Sequence, residues 1–492
     1  MHNDHPGSTG GTDRRPQTAA DRVLKDRSPM ILMKLNGYAL LAIVLALTAF
    51  VPALSAAQTV KRVGERDQDA KASPGAEGKK RYSRGVVGAI SKPANGSASS
   101  ASEPGAPAPT APLRWDPAVG MDAQIFPSYV VSTATMTLPQ EEDAEEDPRV
   151  LGETLGFIGA SLENVPANSA IRVDIKPNAV MESSSFEGRA EAGAGEYEVY
   201  PKINYKYDAL LDWRQPMPLN LVMEVFVNGR SLGARSKTVI VRSINDCPFV
   251  IAADEESDEE DLDMSWMFAA YVNENHPFVN TLTREAIESK IVDSFSAYQE
   301  ESPAEVLRQV YAIWHVLQQR GLRYSDISQS SAESSVVGSQ HVRLFEESLE
   351  ARQANCVDGT ALFAAVLRKI GISPYLAVIP GHMFLAFDLD ESGETTVGLE
   401  TTMMGSQGPA EATKGREIPR ALTDRFRNQA SFKSFTAAIA EGTRQLNEFR
   451  EQMDGDDMDY QLISLSEARN IGILPLAYRR PASPPVAPVR RD

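Results

Sequence analysis

Cysteine is nearly absent from the chain: Cys247 and Cys356 are the only two in 492 residues. That excludes a disulfide-stapled scaffold and a cysteine-built zinc site. Histidine is scarce too, at six residues, and no pair has the spacing of a zincin helix. No metal and no cofactor is therefore expected. Basic residues fall short of acidic ones, 49 against 67, for a net charge of −18. Such a balance argues against nucleic-acid binding and against adhesion to anionic lipid. The apolar run Tyr38 to Val51 is shorter than the about 20 residues of a membrane-spanning helix. What remains is an ordinary 42% of hydrophobic residues, enough for packed cores, in a length suited to two or three domains. No internal repeat is evident.

The chain divides by pattern. Met33 and Lys34 precede the apolar run, and Pro52, Ser55, Ala56 and Ala57 follow it. A basic start, an apolar stretch and a small-residue cleavage site make residues 1–57 an export signal with a long leading segment. Translation from Met30 or Met33 would give that segment ordinary length. No cysteine follows, so it is not a lipoprotein signal. The protein is expected in the periplasm or outside the cell. The alternative is an uncleaved anchor over residues 35–57, and membrane contact is expected only through such an anchor. Residues 58–120, rich in Ala, Ser, Gly and Pro, read as a disordered linker.

Residues 121–250 alternate as strands do: Ile171, Val173 and Ile175, then Leu219, Leu221, Met223, Val225 and Val227. Asn228-Gly229 marks a two-residue hairpin. Short strands with this turn chemistry predict a β-sandwich-like domain. The acidic stretch 251–263 lacks the glycine and spacing of an EF-hand and reads as a linker. Residues 264–478 then form an α+β domain. Ser302-Pro303 opens a helix with Val306, Val310, Ile313, Trp314 and Leu317 on its buried face. A polar loop is expected over 325–340, an amphipathic helix over 432–453 and an edge strand over 469–474. His315 reads as a packed or surface helix residue. Residues 479–492 read as a disordered tail. The overall expectation is α+β.

Candidate chemistry lies in residues 355–402. Ala361 to Ile370 has a helical pattern stopped by Gly371, which puts Cys356 at a helix N-terminus. There the helix dipole and unpaired N–H groups favour a thiolate. A strand follows from Tyr375 to Ile379, then Pro380-Gly381. His382 opens a second strand, and a polar turn returns the chain to Glu400. A helix start, a strand start and a returning strand can bring a thiolate, a base and an orienting carboxylate to one point. Glu400 is the preferred acid, with Asp388 as its alternative. The Cys356 N–H, with Gln353 or Asn355, is the candidate oxyanion hole. A structural disulfide between Cys247 and Cys356 would remove the nucleophile.

This order resembles the transglutaminase-like superfamily, circularly rearranged relatives of papain-type cysteine enzymes. The similarity rests on Asn355-Cys356, Asp358-Gly359 and Leu362 on the helix, on Gly381-His382 at the strand opening, and on an acid, Glu400, followed by Thr401. It extends over residues 265–478. The family usually has Asp where this chain has Glu400. The resemblance implies an N-terminal β-sandwich-like domain followed by a papain-related α+β domain. It also implies acyl transfer, by amide hydrolysis or transamidation; the export signal adds the expectation of peptide or protein substrates, cell-wall peptide being one option. The alternative is a non-catalytic envelope binding or scaffold protein on the same fold. Composition sets no oligomeric state.

Cleavage after Ala57 is expected to give a mature protein that begins at Gln58. N-terminal sequencing of the protein from its native envelope checks this, and retention of residues 35–50 would favour the anchor.

Overall fold

The computed structural model describes residues 112–136, 147–253, 261–326, 334–406, 419–455 and 457–478. Residues 1–111, where an export signal and a linker are expected, and residues 479–492, where a tail is expected, lie outside the described residues. So do the acidic stretches 141–146 and 254–260. Among the described residues, no helix is long and apolar enough to cross a membrane. The fold is mixed α+β.

The N-terminal part carries two sheets. Its strands are β1 (Arg114–Val119), β2 (Gln124–Ile125), β3 (Val150–Gly152), β4 (Ile158–Val165), β5 (Ala170–Ile175), β6 (Ser184–Arg189), β7 (Gly195–Tyr200), β8 (Met217–Val227) and β9 (Arg230–Val241). One sheet has the order β1-β4-β7-β3, the other β2-β9-β8-β5-β6. Strand alternation buries one face. Ile171, Val173 and Ile175 are buried opposite Val227, Val225 and Met223. Asn228 and Gly229 join β8 to β9 with φ of 51° and 77°. Two positive φ values define the hairpin turn that matches strand twist, and Asn-Gly tolerates both. The linker expectation through residue 120 is corrected here, because β1 pairs with β4 from Arg114 to Val119. Trp115 in the middle of that strand is buried, which ties it to the core.

The linker expectation for 251–263 also changes. β10 (Asp246–Ile251) pairs with β11 (Leu262–Asp263) and with β13 (Val337–His341) in one sheet. Both ends of the acidic stretch are therefore strands, and residues 337–340 of the expected polar loop belong to a third. Apolar Val250, Ile251, Leu262 and Val337 gave the sequence enough to pair.

The C-terminal part is built around α6 (Cys356–Lys369), which follows α1 (Pro127–Ser132), α2 (Tyr207–Leu211), α3 (Pro277–Glu288), α4 (Pro303–Gln319) and α5 (Phe345–Ala351). Asn355 caps α6, its Oδ1 accepting the Asp358 N–H at 2.8 Å, while Asp358 accepts the Asn355 N–H at 3.0 Å. This reciprocal capping box starts the helix at Cys356. From Val357 to Leu367 the helix is buried on every side. Leu362, Phe363, Val366, Leu367 and Ile370 alone would give one broad apolar face. The run of Ala and large apolar residues instead suits a helix enclosed by neighbours.

One neighbour is the antiparallel sheet β17-β16-β15-β18, of β15 (Pro374–Ile379), β16 (His382–Asp388), β17 (Thr396–Leu399) and β18 (Gln461–Ser464). The others include α4 and α8 (Ala430–Glu448), which follows α7 (Arg420–Phe426). Trp314 of α4 lies between Phe363 and Phe435, at 5.6 and 6.0 Å, and its indole N–H donates to Ser434 Oγ at 3.0 Å. The expected edge strand over 469–474 is corrected. β18 is the edge strand, and Ser464 caps a short helix, Leu465–Asn470, by accepting the Glu467 N–H.

Helix α8 meets β17 backbone to backbone. A Cβ on Gly442 would lie 2.4 Å from the Leu399 nitrogen, and one on Gly398 would lie 2.1 Å from the Gly442 oxygen. The Glu400 N–H donates to the Ala438 carbonyl at 2.9 Å in the same contact. Ala is favoured over Gly inside a helix by about 1 kcal/mol. A clash with backbone has no rotamer to relieve it, and overpacking costs about 1–3 kcal/mol. Gly442→Ala is therefore expected to lower the unfolding free energy, by urea denaturation, by up to about 2 kcal/mol net.

Candidate functional site

Cys356 is the first residue of α6, at the end where a helix leaves N–H groups unpaired. Its own N–H is one of these and points out of the helix start. Gly359 lets this end approach the segment after β17, since a Cβ there would lie 3.0 Å from Thr401 Oγ1. The Thr360 and Thr401 hydroxyls are 3.3 Å apart. The cysteine is half-buried, and both Cys356 and Cys247 are free thiols. Cys247 is fully buried on β10, where burial pushes its thiol up.

His382 opens β16 directly after a tight turn. Ile379 and His382 pair across it, with Pro380 and Gly381 at the corners and Gly381 at φ 74°. Pro at the first corner and a positive φ at the second are the requirements of a type II turn. Strand period puts His382 and Phe384 on one face, and their rings are 6.2 Å apart. β17 pairs Leu399 with Leu385. One residue further, Glu400 lies opposite Phe384 and diagonal to His382, within reach of a long side chain.

The Nε2 of His382 is 2.7 Å from Glu400 Oε2. Cys356 lies close enough to the ring to raise its hold on a proton. With Nε2 engaged by Glu400, Nδ1 is the nitrogen left for the sulfur. Glu400 is 3% exposed, so its carboxylate depends on protein donors. Oε2 also accepts from Gln445 Nε2 at 3.1 Å, and Oε1 accepts from the Thr402 N–H at 3.0 Å and the Thr402 hydroxyl at 2.6 Å. Burial works against this carboxylate, yet the His382 N–H and charge and the Thr402 donors hold it below the usual range. Burial also works against a charged imidazole. The hydrogen bonds and charges of Cys356 and Glu400 overcome it and push His382 up to about 10. The ring is thus an imidazolium at neutral pH, with a carboxylate on one side and the sulfur on the other.

The other residues singled out in the sequence are elsewhere or otherwise engaged. Asp388 ends β16, about 20 Å along the strand from His382. Its carboxylate accepts from Tyr375 Oη at 2.9 Å and Thr396 Oγ1 at 2.7 Å. Asn355 uses its Oδ1 as the helix cap, which leaves Nδ2 as its donor. Gln353 is exposed on β14 (Gln353–Ala354), a two-residue strand parallel to β12 (Arg323–Tyr324). His315 Nδ1 is 2.8 Å from Ser431 Oγ, and burial lowers its ring.

Three residues at the site were not singled out as site residues by the sequence. Gln445 reaches Glu400 from α8. Its signal was a buried amide within an otherwise apolar and small-residue helix face. Thr402 signalled only through its place after the acid. Tyr324 pairs with Ala354, two residues before Cys356. Burial and the charges of Cys356, Asp326 and Glu400 raise its hydroxyl, which marks the ring as facing the site. Nothing in its local sequence distinguished it.

The ion pair has a defined pH window. His382 is raised in the fold, so its contribution is full below about 6.5 and is lost as pH rises through about 10. Glu400 is lowered, so its contribution is present above about 4.3 and is lost as pH falls further. The stability gap between wild type and Glu400→Gln is therefore expected to be widest between about pH 4.5 and 6.5 and to narrow towards pH 10. Urea unfolding of both proteins across pH 4–10 checks this, and a gap independent of pH would contradict it.

No protein-family model matches the chain, and a search of curated proteins finds no match.

Proposed function

We propose that the protein is an exported cysteine-dependent acyl-transfer enzyme of a transglutaminase-like, papain-related fold, preceded by a β-sandwich-like domain. The observation that carries this reading is a single imidazole beside a helix-initiating cysteine and 2.7 Å from a buried carboxylate. A cation beside the sulfur and the positive end of a helix both stabilise a thiolate. The two sheets β1-β4-β7-β3 and β2-β9-β8-β5-β6 suit the sandwich reading, with Leu162, Tyr197, Val173 and Val225 buried in one core.

In this reading the Cys356 thiolate attacks an amide carbonyl, forming a C–S bond. The carbonyl π pair moves to oxygen, where the Cys356 N–H donates to it. Collapse of the tetrahedral species breaks the C–N bond, and His382 gives its proton to the departing amine. A thioester remains on Cys356. Water or a second amine then attacks, with the neutral His382 taking the proton of the nucleophile, and the thiolate leaves. Water gives hydrolysis and an amine gives transamidation. Glu400 keeps Nε2 protonated and aims Nδ1 at the sulfur throughout. The export signal suits peptide or protein substrates of the cell envelope.

The test is a covalent adduct. Wild type incubated with an extract of its native envelope is expected to gain an acyl mass on the Cys356 peptide, and Cys356→Ala none. His382→Ala should slow adduct formation by about 100-fold or more. Glu400→Gln should slow it less, and Asp388→Asn should leave it unchanged. A Cys356→Ala protein that restores the phenotype of a deletion strain would instead identify a binding or scaffold protein.

A further inference from the structure

We infer, on the reading of Cys356 as the nucleophile, that Arg343 is its positioning residue: it neutralises the buried cap of the nucleophile's helix and ties that cap to the N-terminal β-module. Asp358 stands two residues after Cys356 with its side chain fully buried. Its carboxylate is committed to the cap of α6 through the Asn355 N–H. A buried anion in the first turn of α6 offsets the positive helix end that favours a thiolate at its start. Arg343 removes the conflict. Its Nη1 donates to Asp358 Oδ2 at 2.7 Å and its backbone N–H donates to Oδ1 at 2.8 Å. With the carboxylate neutralised, the positive end of α6 remains available to Cys356.

Arg343 is held from the other side of the molecule. It follows β13 by two residues, and β13 pairs with β10, the strand that comes after β9, in the register Asp246 with His341. The intervening Val342 is fixed on both sides. Its N–H donates to the Asn245 carbonyl at 2.7 Å, and its carbonyl accepts from Asn245 Nδ2 at 2.9 Å. Asn245 and Asp246 are themselves buried, Asp246 in an ion pair with Arg242 at 3.0 Å. The path from the β-module to the nucleophile thus runs Asp246, Asn245, Val342, Arg343, Asp358, Asn355. The segment that leads out of the N-terminal sheets thus holds the partner of the cap.

The charged and titratable groups around Cys356 can be named. His382 comes from β16, Glu400 from the segment after β17, and Tyr324 and Asp326 from β12 and its continuation. Asp358 and Arg343 form the cap. Helix α5, which also packs on α6, keeps Glu346 on His276 at 3.1 Å and Glu347 on Asn245 at 2.6 Å. Within this set, Arg343 and Asp358 have opposite effects on a thiolate but the same effect on a cap: removing either weakens the cap.

That difference supplies the test. Iodoacetamide labelling of Cys356 in the full chain is followed by peptide mass mapping, at pH values below the wild-type midpoint, where rate tracks the thiolate fraction. Arg343→Met is expected to slow labelling about tenfold, the equivalent of one pH unit. Asp358→Asn is expected to speed it, and Arg343→Lys to stay near wild type. Slowing by both Arg343→Met and Asp358→Asn would show a purely structural cap and overturn the inference, as would no change in Arg343→Met. If Arg343→Met does not fold, Asp358→Asn decides: faster labelling supports the inference, and equal or slower labelling overturns it. A wild-type midpoint near that of an ordinary thiol, about 8.5, would overturn the nucleophile reading itself, and is distinguishable because it needs no variant.

Discussion

A carboxylate buried to 3% exposure must have its lone pairs met by the protein, and Glu400 imposes that demand on everything near it. Four donors meet it: His382, Gln445 and the amide and hydroxyl of Thr402. They come from three separate constraints. The Pro380-Gly381 turn aims His382. The Gly398–Gly442 contact brings α8 close enough for Gln445. The turn after β17 supplies Thr402. Removing any of them would leave a buried lone pair unmet, at a cost of about 1–3 kcal/mol. The same saturation explains how glutamate can serve where a shorter acid would be expected. The extra methylene is held by donors at both oxygens, so its length adds little freedom.

The clamp has an electrical consequence. A carboxylate held ionised beside an imidazole keeps the ring charged. Coulomb attraction of this kind is strong because the pair is largely shielded from water, unlike the exposed Arg444 pairs with Glu441 and Glu448 on the outer face of α8. The sheet and α6 therefore set charge states as well as distances.

Local chemistry made much of this legible in the sequence. The Asn228-Gly229 hairpin, the Ser302-Pro303 helix start and the helix beginning at Cys356 are all decided by residues a few positions apart. The hairpin that returns Glu400 to His382 and carries Asp388 away follows from strand period and turn chemistry alone. Contacts between distant segments were not legible. Gln445 lies 45 residues from Glu400, and its direction depends on two glycines whose meeting no local pattern reveals. Arg343 and Asp358 are near in sequence, but their pairing depends on where β10 holds β13. Strand β1 hid within a stretch of linker-like composition because Pro117 and its neighbours dilute its alternation, while Trp115 alone carried the burial signal. Residues 469–474 have apolar residues that suit a strand, but the Ser464 cap and Glu467 commit the preceding chain to a helix.

The central claim is that His382 is an imidazolium at neutral pH, held between Glu400 and Cys356. Nitrogen-15 NMR of the His382 ring across pH 5–11 tests it most directly. The account predicts both ring nitrogens protonated through pH 8, with the transition displaced towards about 10. A transition near the ordinary histidine value of about 6.5 would contradict it.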